Sequence, residues 1–432
     1  MQYFCDVLWV CDMVYPSEFN LRKYSIGVGD RFGHQGAAQL AAVQKAVDLG
    51  VHVTPVWNKS FREHQIIGTT PQDQRHAADQ AVIEFGWQDA YYVDADHINL
   101  NNVDGFLDHC DFFTIDVADV IGQPADQEKL DKVIRRQSRL TGPLVLVADR
   151  PAIDISRDVI SQAALKYVHA IDTADRIYQY IRDHKSGSFV VEISMDETDQ
   201  PQTPAELLLI LEGLAAAGIP CQTIAPRFSG RFNKGVEYVG DVTRFAQEFE
   251  SDVAVIQYAV KAFGLPEKLK LSVHSGSDKF SLYPIMRVIL QNWDAGVHLK
   301  TAGTTWLEEC IGLAVADEAG AALLKEIYAQ AYEQRDDLMA PYREVLDIDI
   351  SKLPLPQEIT RLPRQALVDS ITHRPAEPLY NRHMSQMMHV AYKLAAEKRE
   401  LFLPGLERCK ATIAQRVTDN LFVNHLKPLF IG

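Results

Sequence analysis

No run in the chain reaches the 18 or so consecutive apolar residues that would span a bilayer. The stretch from Met1 to Cys11 also lacks a basic leader followed by an apolar signal core and cleavage site. The expected location is the cytoplasm, with no membrane partner. Cysteine is scarce: Cys5, Cys11, Cys110, Cys221, Cys310 and Cys409 are scattered over 432 residues without a CxxC pair. That excludes a disulfide framework and suits free, mostly buried thiols in a reducing compartment. Positive charge is in deficit, with 43 Lys and Arg against 58 Asp and Glu, a net of −15. A chain without a basic footprint is not expected to bind nucleic acid or an anionic membrane. A few cations gathered in one pocket would still hold a small anionic substrate. Also missing is a local metal or dinucleotide motif: there is no HExxH, and the glycines from Gly27 to Gly33 read GxGxxxG rather than GxGxxG.

What is present is alternation. Apolar runs that read as strands begin near Tyr24, Val51, Tyr91, Phe112, Ser188, Ile219, Leu269 and Gly296, and helical spacing separates them. Stop and start signals punctuate the series. Gly50, Gly218 and Gly264 close helices, while Thr70-Pro71 and Thr203-Pro204-Ala-Glu206 open them by N-cap and capping-box rules. Thr305 and Glu308 have capping-box spacing for a helix from Trp306 to Val315. Eight strands with polar groups at most of their C-terminal ends predict an α/β fold, a (β/α)8 TIM-type barrel. The segment around 122–185 is too long for one crossover, and its short apolar run at Leu144–Val147 is read as part of an insertion rather than a ninth strand. Beyond about residue 320, helix follows helix, with a proline-containing linker over Leu353–Pro363. The expected organisation is a catalytic barrel over 1–320 and a helical C-terminal extension over 321–432.

The chemistry-bearing residues fall where such a barrel has its mouth. The stretch Tyr91-Tyr-Val-Asp94-Ala-Asp96-His97 ends an apolar run in two carboxylates and an imidazole. His274 ends the seventh strand and His298 lies in the eighth. Three imidazoles with an open position are a recognised way to hold a catalytic divalent cation, Zn, Mn, Ni or Fe. Asp96, Glu192, Asp196 and Glu197 are the candidate acids and bases, Glu192 deeper in its strand and Glu197 out on the loop. Asp30 and Arg31 sit at the rim of the first loop, and Arg227, Lys279 and Lys300 follow later strands. Together these cations suggest an anionic substrate held by Arg clamps and Lys point charges. Against this, each group alone reads as an ordinary surface charge, turn cap or buried histidine. The remaining histidines, His383 and His389 in the tail among them, have no strand-end context and are assigned to structure or docking of the extension.

The strings Gly27-Val-Gly-Asp30-Arg31, Asp94-Ala-Asp-His97, Ser194-Met-Asp-Glu-Thr198, Ala225-Pro-Arg-Phe228, Ser272-Val-His-Ser-Gly-Ser-Asp-Lys-Phe280 and His298-Leu-Lys-Thr-Ala-Gly303 together resemble the tagaturonate epimerase family. The likeness covers about Tyr24 to Trp306. It implies a bacterial enzyme of hexuronate catabolism that interconverts D-tagaturonate and D-fructuronate. It further implies a divalent metal on His97, His274 and His298, with Asp96 as proton acceptor and Glu197 as proton donor, Glu192 being the rival. The carbon inverted lies β to the ketone, so enolisation alone cannot invert it. Opening and reclosing the adjacent C–C bond, two opposed bases, or transient oxidation each remain open. Arg31, Arg227, Lys279 or Lys300 would hold the carboxylate. Two other classes compete: a metal-dependent aldolase or aldose–ketose isomerase, and a non-catalytic carbohydrate-binding protein. The sequence leaves room for a homo-oligomer and specifies none.

Overall fold

The computed structural model describes residues 21–146, 152–301 and 303–432. Eight strands form a closed, all-parallel barrel: β1 (Tyr24–Val28), β2 (Val53–Ser60), β3 (Tyr92–Ile98), β4 (Phe112–Asp116), β5 (Val190–Ser194), β6 (Thr223–Ala225), β7 (Lys270–His274) and β8 (Val297–Lys300). Each strand pairs with its sequence neighbours, and β8 closes the ring on β1, Ser25 opposite His298 and Gly27 opposite Lys300. This is the (β/α)8 TIM-type barrel expected, and the strands are buried on both faces because helices cover one and packed side chains, several of them polar or charged, fill the other.

The helix signals hold at most positions. Ser60 and Thr70 each make a reciprocal capping box, the second opening the helix Pro71–Phe85, and left-handed Gly68, Gly86, Gly218 and Gly264 end helices. One expectation fails. The helix Thr304–Ala316 starts after Gly303 without a side-chain cap. Thr305 instead accepts from Gln39, and Glu308 bonds Arg416 and Asn420, so tertiary partners have taken both residues of the supposed box. The second strand also runs further than its apolar run, carrying Trp57, Asn58 and Lys59 inside the sheet, and a helix at Phe61–Ile67 follows it.

Between β4 and β5 lie the helix Gln127–Gln137, an antiparallel hairpin of Gly142–Leu144 with Ile153–Ile155, and the long helix Arg157–His184. The run at Leu144 is therefore an excursion outside the barrel; its last residue, Val147, lies outside the described residues. Helices from Glu318–Glu333 onward build a second apolar cluster around Trp306, Tyr328, Tyr392 and Phe402. The C-terminal turn Asn420–Ile431 then returns to the barrel, where Leu426 and Leu429 join its core and Phe430 packs on Tyr24. Cys110, Cys221, Cys310 and Cys409 are free and buried, and Cys5 and Cys11 lie outside the described residues. No helix among the described residues is long and apolar enough to cross a membrane.

Candidate active site

The C-terminal ends of β3, β4, β5, β7 and β8 converge on one charged constellation. At its centre is Lys300, on the last residue of β8. Its Nζ lies 2.7 Å from Asp96 Oδ1, 2.9 Å from Asp94 Oδ2, 3.0 Å from Glu192 Oε1 and 2.6 Å from Thr114 Oγ1. Alternation explains why both aspartates reach it: residues 94 and 96 are two apart on one strand and share a face. Burial lowers the Lys300 pKa, but Asp94 and Asp96 overcome this and hold the ammonium well above its usual value. The same pairing works in reverse. Burial pushes the carboxyls of Asp96 and Glu192 up, and the Lys300 charge outweighs burial, leaving both below the usual range. Asp94, fully enclosed and beside two other carboxylates, is pushed up to about 7.

Around this hub stand two histidines. His274 Nε2 is 2.8 Å from Glu192 Oε1 and its Nδ1 is 3.1 Å from Asp196 Oδ2. Burial lowers its pKa, and Asp196 reverses the shift to bring it up to about 9. His97 Nδ1 is 2.8 Å from Asp116 Oδ2, and its Nε2 is 3.8 Å from Asp96 Oδ1. Strict alternation would turn His97 away from the face that Asp96 uses. The register against β4 slips between Ala95 and Ile98, a β-bulge, and His97 takes a left-handed φ of 53°. Bulges re-aim side chains next to active sites, and left-handed backbone at a non-glycine residue costs about 1–3 kcal/mol. Here the result is that the His97 and His274 rings meet edge to face, 5.3 Å between centroids.

Donor atoms of His97, Asp196 and His274 lie within 4.8 Å of one another, as do those of His97, Asp116 and Glu197. Both sets have the mixed imidazole–carboxylate chemistry that divalent first-row ions accept. His298, the third histidine expected in such a set, is in neither. It sits two residues back from Lys300, one layer deeper on the same interior face, with Nδ1 2.9 Å from Ser25 Oγ and its ring against Phe112. Burial pushes its pKa down to about 3 and leaves Nε2 without a hydrogen-bond partner.

Glu197, on the loop after β5, is exposed at the mouth. Although the residue is exposed, desolvation by neighbouring groups and the nearby Asp196 push its pKa up, against the opposing charge of His97. Glu192 is enclosed on every side. Thr223 donates to its Oε2 at 2.7 Å and Thr114 to its Oε1 at 3.2 Å, so it has no free edge for a substrate.

The cations separate. Lys300 has its donors fully engaged inside the barrel. Lys279 is buried with Nζ on Ser277 Oγ and the Asp278 carbonyl, its pKa pushed down to about 7 by burial. Arg227 donates to the Asp196 carbonyl at 3.1 Å. Asp30 is a cap rather than a ligand: its carboxylate accepts from the backbone N–H groups of Gly33, His34 and Gln35, ahead of the helix Gly36–Asp48. Arg31 is 6% exposed, bonded through Nε to Glu63 and stacked 4.2 Å from the Tyr392 ring centroid. Its Nη1 has no hydrogen-bond partner. Sequence reasoning missed Thr114, which links three members of the hub, Asp116, which orients His97, and Lys234, on the loop after β6. Only Asp116 carried a signal, as the carboxylate ending the fourth strand.

A closed parallel barrel whose strand ends gather paired carboxylates, histidines and a buried lysine at one mouth defines a (β/α)8-barrel enzyme equipped for proton transfer on a polar substrate. Residues 6–406 match the tagaturonate epimerase family, and the chain belongs to that family, whose name places it among the isomerases. It is 28% identical over 405 residues to the tagaturonate/fructuronate epimerase of Thermotoga maritima, covering 90% of this chain and 77% of that protein. The crystal structures of fructuronate-tagaturonate epimerase from Cohnella laeviribosi, native and with glycerol, superpose with a TM-score of 0.78 at 23% identity. They cover 96% of this chain and 82% of theirs, which establishes a shared fold.

Proposed function

We propose that the chain epimerises D-tagaturonate and D-fructuronate at the carbon β to the ketone, using a divalent cation held by His97, His274 and Asp196. This set differs from the all-histidine set suggested by the sequence, and it is supported by donor atoms of His97, Asp196 and His274 that lie within 4.8 Å of one another. The ion would supply positive charge to an oxygen that becomes anionic during the reaction. Asp96 is the proton acceptor. Lys300 keeps it ionised, and it lies on the edge of the hub, beside His97 and next to the mouth. When the hydroxyl on the carbon to be inverted gives its proton to Asp96, that oxygen becomes a carbonyl and the neighbouring C–C bond opens. The electron pair remains on the fragment that carries the ketone. Reclosing on the other face consumes one proton at the new hydroxyl, delivered by Glu197, whose pKa burial and Asp196 raise above its ordinary value. Exchange with solvent at the mouth resets the pair.

The observation that carries this reading is the opposite placement of the two carboxyls: Asp96 tied to an ammonium, Glu197 on the rim among other acids. Incubating the purified chain with either uronate and following both by NMR, before and after chelation and re-addition of Zn, Mn, Ni or Fe, tests it. Interconversion lost on chelation and lost in Asp96→Asn with the metal content intact is the expected result. Stable three-carbon fragments would indicate an aldolase, an aldose product would indicate an aldose–ketose isomerase, and full activity in Asp96→Asn would remove its role as base.

A further inference from the structure

The loop after β6 carries Lys234, and the C-terminal extension holds it in place. Its backbone N–H donates to the Val345 carbonyl at 2.9 Å. The next residue, Gly235, donates to Ser277 Oγ at 2.9 Å and accepts from Ser385 Oγ at 2.8 Å. Gly235 has a φ of 72°, and a Cβ there would lie 3.2 Å from the Ser385 carbonyl oxygen, so glycine is what lets the loop close against the extension. Lys234 Nζ is 5.5 Å from the Tyr342 ring centroid, and Tyr342 shares a 2.7 Å hydrogen bond with Tyr392, on whose face Arg31 is stacked. Two tyrosines of the extension thus back two cations of the barrel.

The charges near this pair do not cancel. Arg31 is neutralised by Glu63 at 3.0 Å. Lys234 has no carboxylate within ion-pair distance among the described residues; burial lowers its pKa, Glu63 is the carboxylate that acts on it most strongly, and Glu197 and Asp96 act on it after Glu63 and Arg31. Lys234 thus has no direct ion pair, while the acid and base of the mouth both act on its ammonium. The buried, unpartnered Nη1 of Arg31 adds a donor on the same platform. Lys300 and Lys279 have their donors committed elsewhere, and Arg227 donates one N–H to the Asp196 carbonyl, as described above.

We propose that Lys234, with Arg31 Nη1, receives the carboxylate of the sugar-acid substrate, and that Tyr342 and Tyr392 make the C-terminal extension part of the specificity site. The proposal rests on the uronate reading given above for its ligand, and it assigns the choice between a uronate and a neutral ketose to this platform. A charge-assisted contact of this kind discriminates strongly against a ligand that lacks the anion.

Calorimetric titration of fructuronate and of fructose into the intact metal-loaded chain and into Lys234→Met separates the possibilities. The expected result is that the substitution weakens fructuronate binding by about tenfold or more, shifts fructose affinity by less than about threefold, and is largely rescued by Lys234→Arg. Equal losses on both ligands, or no loss on fructuronate in a variant whose thermal midpoint matches the parent, would overturn it. If fructuronate binds with this Lys234 dependence but is not epimerised, the activity reading fails and the carboxylate site stands. If fructuronate does not bind the parent chain at all, both fall.

Discussion

Replacing Lys300 by methionine tests whether one ammonium holds the mouth together. Methionine keeps the length and most of the volume of the lysine stem, so the cavity term is small and the loss is electrostatic. At an effective dielectric of about 20, a unit charge pair at 2.7–3.0 Å is worth roughly 6 kcal/mol before desolvation. Burying the ammonium offsets much of this. Asp94 is also partly protonated near neutrality, so Asp96 and Glu192 dominate the loss. Removing one partner of a buried ion pair costs about 3–5 kcal/mol, which is the expected destabilisation at pH 7. The pH dependence follows from the directions of the shifts. Asp96 and Glu192 lie below their ordinary values in the parent, so their contribution is present above about pH 4–5 and disappears as pH falls through the folded values. Lys300 lies above its ordinary value, so its contribution persists below about pH 10 and is lost only as pH rises through the folded value. The gap between parent and variant should therefore be widest between about pH 5 and 10 and close in acid. Urea unfolding of both chains across that range measures it. A gap under about 1 kcal/mol at pH 7, or one that widens in acid, would refute the account.

Two further perturbations probe the frame. Asp278 accepts from Thr304 Oγ1 at 3.0 Å and lies 3.3 Å from both His373 and His425, joining the loop after β7 to two separate parts of the extension. Asp278→Asn should cost about 2–4 kcal/mol and speed amide exchange in 372–381 and 420–431 more than in the barrel strands; uniform exchange would count against the latch. At the opposite end of the barrel, burial pushes the Lys270 pKa down to about 7, its ammonium lying against the carbonyls of Arg22 and Lys23. Above that value the folded chain has released a proton that the unfolded chain keeps until about pH 10.4, so stability should rise with pH across this window. Lys270→Met should remove that rise; identical pH profiles for parent and variant would disprove it.

The barrel was legible because its signals are local. Strand runs, capping boxes such as Thr203 with Glu206 and stop glycines such as Gly218 lie within a few residues of one another. The failures came where partners that spacing alone does not reveal took over a residue. Thr305 and Glu308 have capping-box spacing, yet Gln39, Arg416 and Asn420 claim them. Asp30 looked like a rim ligand because nothing in its spacing shows that three backbone N–H groups face it. His298 is two residues from Lys300 in sequence, and that fixes its face without fixing its depth relative to His97 across the barrel. Lys234 was invisible for a stronger reason: its meaning depends on Val345, Tyr342 and Tyr392, more than 100 residues away in chain order.

The pair Asp96 and His97 shows how little separates a readable motif from a readable site. Adjacent residues on a regular strand point to opposite faces, so the sequence as it stands predicts that only one of them faces the interior. Asp94 and Asp96 obey that rule, and Lys300 bridges them. His97 joins them through one slipped register position and one left-handed residue. Asp116 fixes the re-aimed ring from β4, and His274 meets it from β7. The backbone strain is thus countered by contacts from two other strands, and those contacts exist only in the closed barrel. The proposed division of labour between neighbouring residues, one for the proton and one for the cation, therefore depends on an irregularity that neither residue encodes alone.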